Sequence, residues 1–130
     1  MRIGKCELAK TLVDRRELEA RTKGFALRVI RFVSDLPRSN ATDVLGRQLL
    51  KSGTSIGANY REANRAESHN DFIHKIAIVG KEAAETQYWL ELFEDADMGD
   101  SVERSWLVKE CGELLAIFTA SGKTAKEKRS

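Results

Sequence analysis

Apolar residues recur along this chain in steps of four and three, the spacing that returns α-helical side chains to one face. Leu18, Thr22, Phe25, Val29, Phe32 and Leu36 follow that rule and predict a first helix over about 14–36. Pro37 stops it, because proline has no N–H to give and pushes the residue before it out of helical geometry. Leu45, Leu49, Ser52, Ile56, Asn59 and Ala63 repeat the pattern over about 40–65, with Ser39 or Asn40 available as a cap and Asp43 in the first turn. A third run, from Phe72 through Ile76, Val79, Ala83, Thr86 and Leu90 to Phe93, predicts a helix over about 68–96. Ser68 and Asp71 have box-like spacing at its start, and Gly99 breaks the chain after it. Leu107, Cys111, Leu114 and Phe118 give a fourth helix over about 100–120, after which Gly122 opens a flexible basic tail over 121–130. Sustained period-two alternation and Asn-Gly or Asp-Gly turns, the signals of strands and hairpins, are missing. The expected fold is therefore all-α, an antiparallel up-down-up-down four-helix bundle filling residues 1–130 as one domain.

Three features exceed the needs of a plain bundle. Gly46, Gly53 and Gly57 cost helix stability, yet they fall within about 40° of one another at 100° per residue. Such a stripe admits a second backbone, either from this chain or from a neighbouring subunit. The third helix carries a second apolar stripe, Ile78, Trp89 and Leu92, roughly 100–160° from Phe72. Leu27 in the first helix and Trp106 in the fourth repeat the theme. A bundle helix needs one apolar stripe, so a second one predicts an oligomer interface at Ile78, Trp89 and Leu92. Polar Thr22, Ser52, Asn59 and Thr86 also stand on apolar seams, where a buried Asn can fix register and assembly state.

Composition narrows the class. With 130 residues, 42% hydrophobic and 32% charged, the chain can build one core and does not resemble a disordered segment. No apolar run nears the ~20 residues that span a bilayer, so no membrane partner is expected. Residues 1–13, with Arg2, Lys5, Glu7 and Lys10, do not read as a secretory signal. Cys6, expected in a mobile end, and Cys111 are too few for a disulfide framework or a zinc site, which suits a cytoplasmic protein.

The net charge of +2 conceals a division. Residues 1–65 hold 14 Lys/Arg against 7 Asp/Glu, a balance of +7, and residues 66–130 hold 8 against 13, a balance of −5. Complementary helices facing one another inside a bundle would explain this; so would a cationic surface that attracts polyanions. The second helix sharpens the latter reading. Arg47, Lys51, Arg61 and Arg65, with Thr54 between them, fall within about 80° on the face opposite Leu45 and Ile56. At ~1.5 Å per residue, Arg47 and Arg65 are about 27 Å apart, enough to touch several phosphates. Arg2, Lys5, Arg15, Arg16, Arg21, Arg28 and Arg31 add cationic density, while aromatics for base stacking are scarce.

Catalytic patterns fail one by one. A di-iron bundle needs paired Glu-x-x-His motifs; only His69 and His74 are present, and Asp71-Phe72-Ile73-His74 is a single Asp-x-x-His. Glu62, Glu82 and Glu85 suggest at most a weak carboxylate cluster. The glycines of Gly53-Thr54-Ser55-Ile56-Gly57 lie inside a predicted helix, so they form no phosphate-cradling loop. The expectation is a protein that is not an enzyme and has no metal, cofactor or catalytic residue.

The segment Gly46-Arg47-Gln48-Leu49-Leu50-Lys51-Ser52-Gly53-Thr54-Ser55-Ile56-Gly57-Ala58-Asn59-Tyr60-Arg61-Glu62-Ala63 resembles the signature of the four-helix-bundle family also called the ribosomal RNA intervening-sequence proteins. Phe25–Arg31 and Asp71–Ile76, the latter leading to Glu82–Leu92, are similar to it as well. The resemblance implies a four-helix bundle assembled into a ring, usually a homopentamer. It implies no catalytic residue and no cofactor. Relatives are encoded within inserts of 23S ribosomal RNA genes, and a related accessory protein of diversity-generating retroelements binds nucleic acid and a reverse transcriptase. The sequence departs from the pattern at Glu67, where relatives often have a more basic loop, and at Lys81, where they often have an acidic residue. The leading expectation is a cytoplasmic, non-enzymatic oligomer that binds RNA or DNA through Arg47, Lys51, Arg61 and Arg65. The alternatives are a scaffold or adaptor for another protein and, more remotely, a carboxylate metalloenzyme.

Overall fold

The computed structural model describes residues 5–128, with side chains from residue 14 onward. Four helices follow in order: α1 Lys5–Ser34, α2 Asn40–Ala63, α3 His69–Asp95 and α4 Ser101–Glu127. The described residues contain no strand. The helix backbones neighbour one another in the order α1–α2–α3–α4–α1, while the diagonal pairs α1/α3 and α2/α4 meet through core side chains, as at Phe32–Phe93 and Tyr60–Phe118. Cross-helix pairs run in opposite senses. A Cβ on Gly46 would face Val33, on Gly53 Val29 and on Gly57 Thr22, while Arg21 reaches Glu110 and Arg28 reaches Glu103. Both α1–α2 and α1–α4 are therefore antiparallel.

The predicted seams form the core. Phe25, Val29, Leu49, Ile56, Ile76, Val79, Leu90, Phe93, Leu107, Leu114 and Phe118 are all at most 1% exposed. Phe32 meets Phe93 edge-on at 5.4 Å between ring centroids, and Tyr60 lies 5.1 Å from Phe118. Ser39, Ser68 and Asp100 cap α2, α3 and α4, each accepting from a backbone N–H three residues on.

Two boundaries differ from expectation. The first helix begins at Lys5 rather than near 14, since residues 5–20 contain neither glycine nor proline to break it. The fourth helix passes through Gly122 and continues to Glu127, where a flexible tail from 121 was expected. Tertiary contact holds this extension. Ala125 is 5% exposed, and His69 Nε2–H donates to the Ala125 carbonyl at 2.8 Å. A glycine in a helix costs propensity, but packing overrides it.

The α3–α4 turn depends on Gly99. Its φ is +84°, and a Cβ there would sit 2.5 Å from Phe32. Arg104, only 8% exposed, closes the turn by donating to the carbonyls of Met98 and Gly99 and to Asp97.

The glycine stripe of α2 serves packing within the chain. Gly53 lies against Val29 and Gly57 against Thr22, so α1 and α2 approach closely and no neighbouring subunit is needed to explain these glycines. The polar seam residues also look inward to their own helices. Thr22 donates to Leu18 O at 2.8 Å, Thr86 to Glu82 O at 2.7 Å and Ser52 to Leu49 O at 3.4 Å. Asn59 is half-buried and donates to Ser55 O at 2.8 Å. Such back-bonding satisfies the side chain locally, so these residues set no register through a cross-helix bond.

Candidate nucleic-acid interface

The division of charge seen along the sequence resolves into two sets of cations. In the first set, arginines of α1 are consumed by carboxylates of α4. Arg21 Nη2–H donates to Glu110 Oε1 at 2.6 Å and to Glu113 Oε2 at 3.0 Å, and its Nε–H donates to Glu110 Oε2 at 2.8 Å. Arg28 grips Glu103 through Nε–H at 2.6 Å and Nη2–H at 2.9 Å. The hydrogen bonds from these guanidiniums hold the Glu103 and Glu110 carboxyls below the usual range, and the carboxylates raise both arginines. Arg28 also lies 3.6 Å above the Trp106 ring, which in turn stacks 6.5 Å from Phe25. Trp106 is thus half-buried within its own chain. Of all neighbouring pairs, α1 and α4 touch least, and these charge-assisted bonds bridge that seam. Arg21 and Arg28, counted from sequence as added cationic density, are structural. Arg2 and the Lys5 side chain lie outside the described residues.

The second set lies on the outer side of α2 and in the turn just after it, since the helix ends at Ala63 rather than near 65 and leaves Arg65 beyond it. Arg47, Lys51, Arg61 and Arg65 are all exposed, as the stripe predicts. Among the described residues, Arg47, Lys51 and Arg65 form no ion pair; Arg61 makes a long one, 3.6 Å, with Glu19. Lys51 is felt by Glu82 of α3, whose carboxyl is pushed up by burial and by Glu85. Packing explains why the stripe is exposed. The glycines bring α1 against one flank of α2 and Leu49, Ile56 and Tyr60 take the inner flank, leaving the cationic positions to face water.

Sequence reasoning placed Arg15 and Arg16 in a general basic region; the structure brings them beside Arg61 and Arg65, while Arg47 borders a separate hollow with Arg38 and Asp43. A groove of about 570 Å³ between α1 and α2 is lined by Arg15, Arg16, Arg61 and Arg65, with Glu19 and Glu62 as its acidic members. It continues through shared Glu19, Ala58 and Arg61 into a second hollow of about 330 Å³ over Thr22, Ala26, Thr54 and Gly57, with Lys23 on its rim. The floor is made of small residues and the edges are mainly cationic. Such a trough suits a polyanion's backbone and offers no aromatic ring for a base. The i,i+4 and i,i+7 spacing on α2 carried its half of this groove in the sequence. The α1 half was hidden because only the register of α1 on α2 decides which arginines share it.

The predicted interface residues take intermediate positions. Ile78, Trp89 and Leu92 are each half-buried. Trp89 leans on the core and donates from Nε1–H to Glu85 at 3.2 Å. Neighbouring Tyr88 is 53% exposed.

The residues considered for chemistry are dispersed. Cys111 is buried, and desolvation pushes its thiol up to about 12, which keeps it from acting as a thiolate at neutral pH. Cys6 lies outside the residues whose side chains are described. His74 is exposed. Among the described residues no three His, Cys, Asp or Glu side chains gather to hold a metal ion. No helix of the described residues is long and apolar enough to cross a membrane.

Residues 16–120 match the family model described as 23S rRNA-intervening sequence protein. No curated protein matches the chain. Among solved structures, it is similar to a Bacteroides thetaiotaomicron protein of unknown function from the S23 ribosomal protein family. The two are 35% identical with a TM-score of 0.74, over 81% of this chain and 97% of the other.

Proposed function

The chain belongs to the 23S rRNA-intervening sequence protein family, and on that premise we propose that it is a non-enzymatic, cytoplasmic, homo-oligomeric bundle that binds RNA or DNA by the phosphate backbone. Arg47, Lys51 and Arg61 of α2 and Arg65 just after it bind the phosphates, joined by Arg15 and Arg16 across the groove. One observation carries the reading: exposed Arg47, Lys51 and Arg65 form no ion pair among the described residues, and Arg61 makes a long one with Glu19, while Arg21 and Arg28 are spent on α4. Exposed guanidinium and ammonium groups along about 21 Å of helix from Arg47 to Arg61 displace counterions from a polyanion, and each phosphate neutralised adds to the salt dependence of binding. A homopentameric ring, the state implied by the family resemblance, repeats the stripe and turns a weak monovalent interaction into avidity. Half-buried Ile78, Trp89 and Leu92 support self-association.

Titrating a structured RNA at several salt concentrations tests the proposal. The logarithm of the affinity should fall linearly with the logarithm of salt. Arg47→Ala combined with Lys51→Ala should make that slope shallower by about 2, roughly one for each cation withdrawn from a phosphate. A slope identical to wild type removes α2 from the binding surface. Absence of any salt-dependent binding by the wild type supports a protein scaffold instead.

A further inference from the structure

We infer that the groove between α1 and α2 holds a nucleoside 5′-triphosphate, free or as the 5′ end of an RNA strand, with its phosphates on Arg15, Arg16, Arg61 and Arg65 and its nucleoside in the adjoining hollow. This narrows the ligand of the surface proposed above and rests on that reading, but it concerns only one end of the cationic surface.

The cations of that surface are unevenly placed. Arg15, Arg16, Arg61 and Arg65 all line one groove of about 570 Å³. Lys51 lies about 15 Å and Arg47 about 21 Å along α2 from Arg61 at the helical rise, and Arg47 borders a different hollow. The interior of a strand offers its charge one phosphate at a time, and single cations along a helix suit it. Four guanidiniums around one hollow exceed that need. They repel one another, and Glu19 and Glu62, the two carboxylates of the groove, offset half of their charge. Glu19 is already engaged: it lies 3.6 Å from Arg61 and accepts from Asn64 Nδ2–H at 3.3 Å. The exposed side chains of Arg15, Arg16 and Arg65 make no ion pair or hydrogen bond among the described residues. The arrangement fits a compact polyanion. Linked phosphoryl groups present many acceptor oxygens within one volume, and planar guanidinium forks bind them in pairs.

The neighbouring hollow has the opposite character. It measures about 330 Å³, joins the groove through Glu19, Ala58 and Arg61, and is mainly apolar over Thr22, Ala26 and Gly57. Thr22 and Thr54, its hydroxyl-bearing residues, donate to Leu18 O at 2.8 Å and Leu50 O at 2.7 Å. With those donors committed, the hollow takes a sugar and base by size rather than by a hydrogen-bond pattern, so it does not read which base it holds. Arginines at one end and a small apolar recess at the other match a triphosphate and the nucleoside attached to it.

Anisotropy titrations with two labelled RNA strands test the inference. One carries a 5′-triphosphate; the other has a 5′-hydroxyl and is longer by enough nucleotides to carry the same total charge. The wild type should bind the first about tenfold more tightly. Arg15→Gln with Arg16→Gln should bring the two affinities together, whereas Arg47→Ala with Lys51→Ala should weaken both and keep their ratio. Ala58, exposed and shared by groove and hollow, provides an independent variant. Ala58→Glu sets a carboxylate where phosphates and nucleoside meet and should also abolish the preference. Equal wild-type affinities overturn the inference and leave binding of the phosphate backbone in place; no binding of either strand overturns both. A preference that survives in both groove variants, or one lost with Arg47 and Lys51, puts the triphosphate elsewhere and overturns the site. Excess ATP distinguishes the two sources. Displacement of the triphosphate strand supports a free nucleotide as the ligand; resistance to ATP, with the preference intact, supports the strand end.

Discussion

Gly57 and Gly80 are both glycines inside helices, yet they should respond oppositely to alanine. A Cβ at Gly80 meets nothing within 4 Å, so Gly80→Ala gains helix propensity and should stabilise the protein by about 0.5–1 kcal/mol. A Cβ at Gly57 would lie 3.1 Å from Thr22 Oγ1 and 3.3 Å from Thr22 Cβ. Those atoms belong to a packed helix and yield little, so overpacking of about 1–3 kcal/mol outweighs the propensity gain. Denaturant midpoints should move up for Gly80→Ala and down for Gly57→Ala. The sequence exposed the glycine stripe through its spacing, but the choice between an intrachain partner and a second subunit required the register of α1 on α2. Arg104 left no trace at all in the pattern. A single arginine near a helix start becomes a buried clasp only because Gly99 turns the chain back over it.

The seams and helix order were legible because hydrophobic period is local information. Helix ends were less so. Gly122 reads as a stop, but Ala125 and His69 come together across two helices and extend α4 to Glu127. The α1–α4 seam was legible only as a charge imbalance between the two halves of the chain. Its structure predicts an acid-sensitive element. Glu103 and Glu110 have folded-state pKa values held below their ordinary value of 4.5. Their contribution is therefore present above about pH 4.5 and is lost as pH falls through the depressed values. Glu82 has the opposite sign, because burial and Glu85 raise it; its protonation on acidification returns a little stability. Removing the Arg21–Glu110 bond by Glu110→Gln should cost about 1 kcal/mol at pH 7, a modest figure because Arg21 is partly hydrated. The variant should also lose less stability than wild type between about pH 5 and about pH 3. Thermal unfolding at stepped pH reads both effects.

At the scale of the whole molecule, a net charge of +2 says little about partners, since opposite charges are distributed to different tasks. Arg21, Arg28 and Arg104 hold elements together, while Arg47, Lys51 and Arg65 form no ion pair among the described residues. The α2 half of the groove could be read from residue spacing, whereas the α1 half depends on how four helices sit around one core. Binding measured at low salt for the triple variant Arg47→Ala, Lys51→Ala and Arg65→Ala isolates the free set. On the proposed function, deleting these three cations should weaken the affinity for a structured RNA at least about tenfold, with the unfolding midpoint unchanged. An affinity equal to that of the wild type would contradict the account.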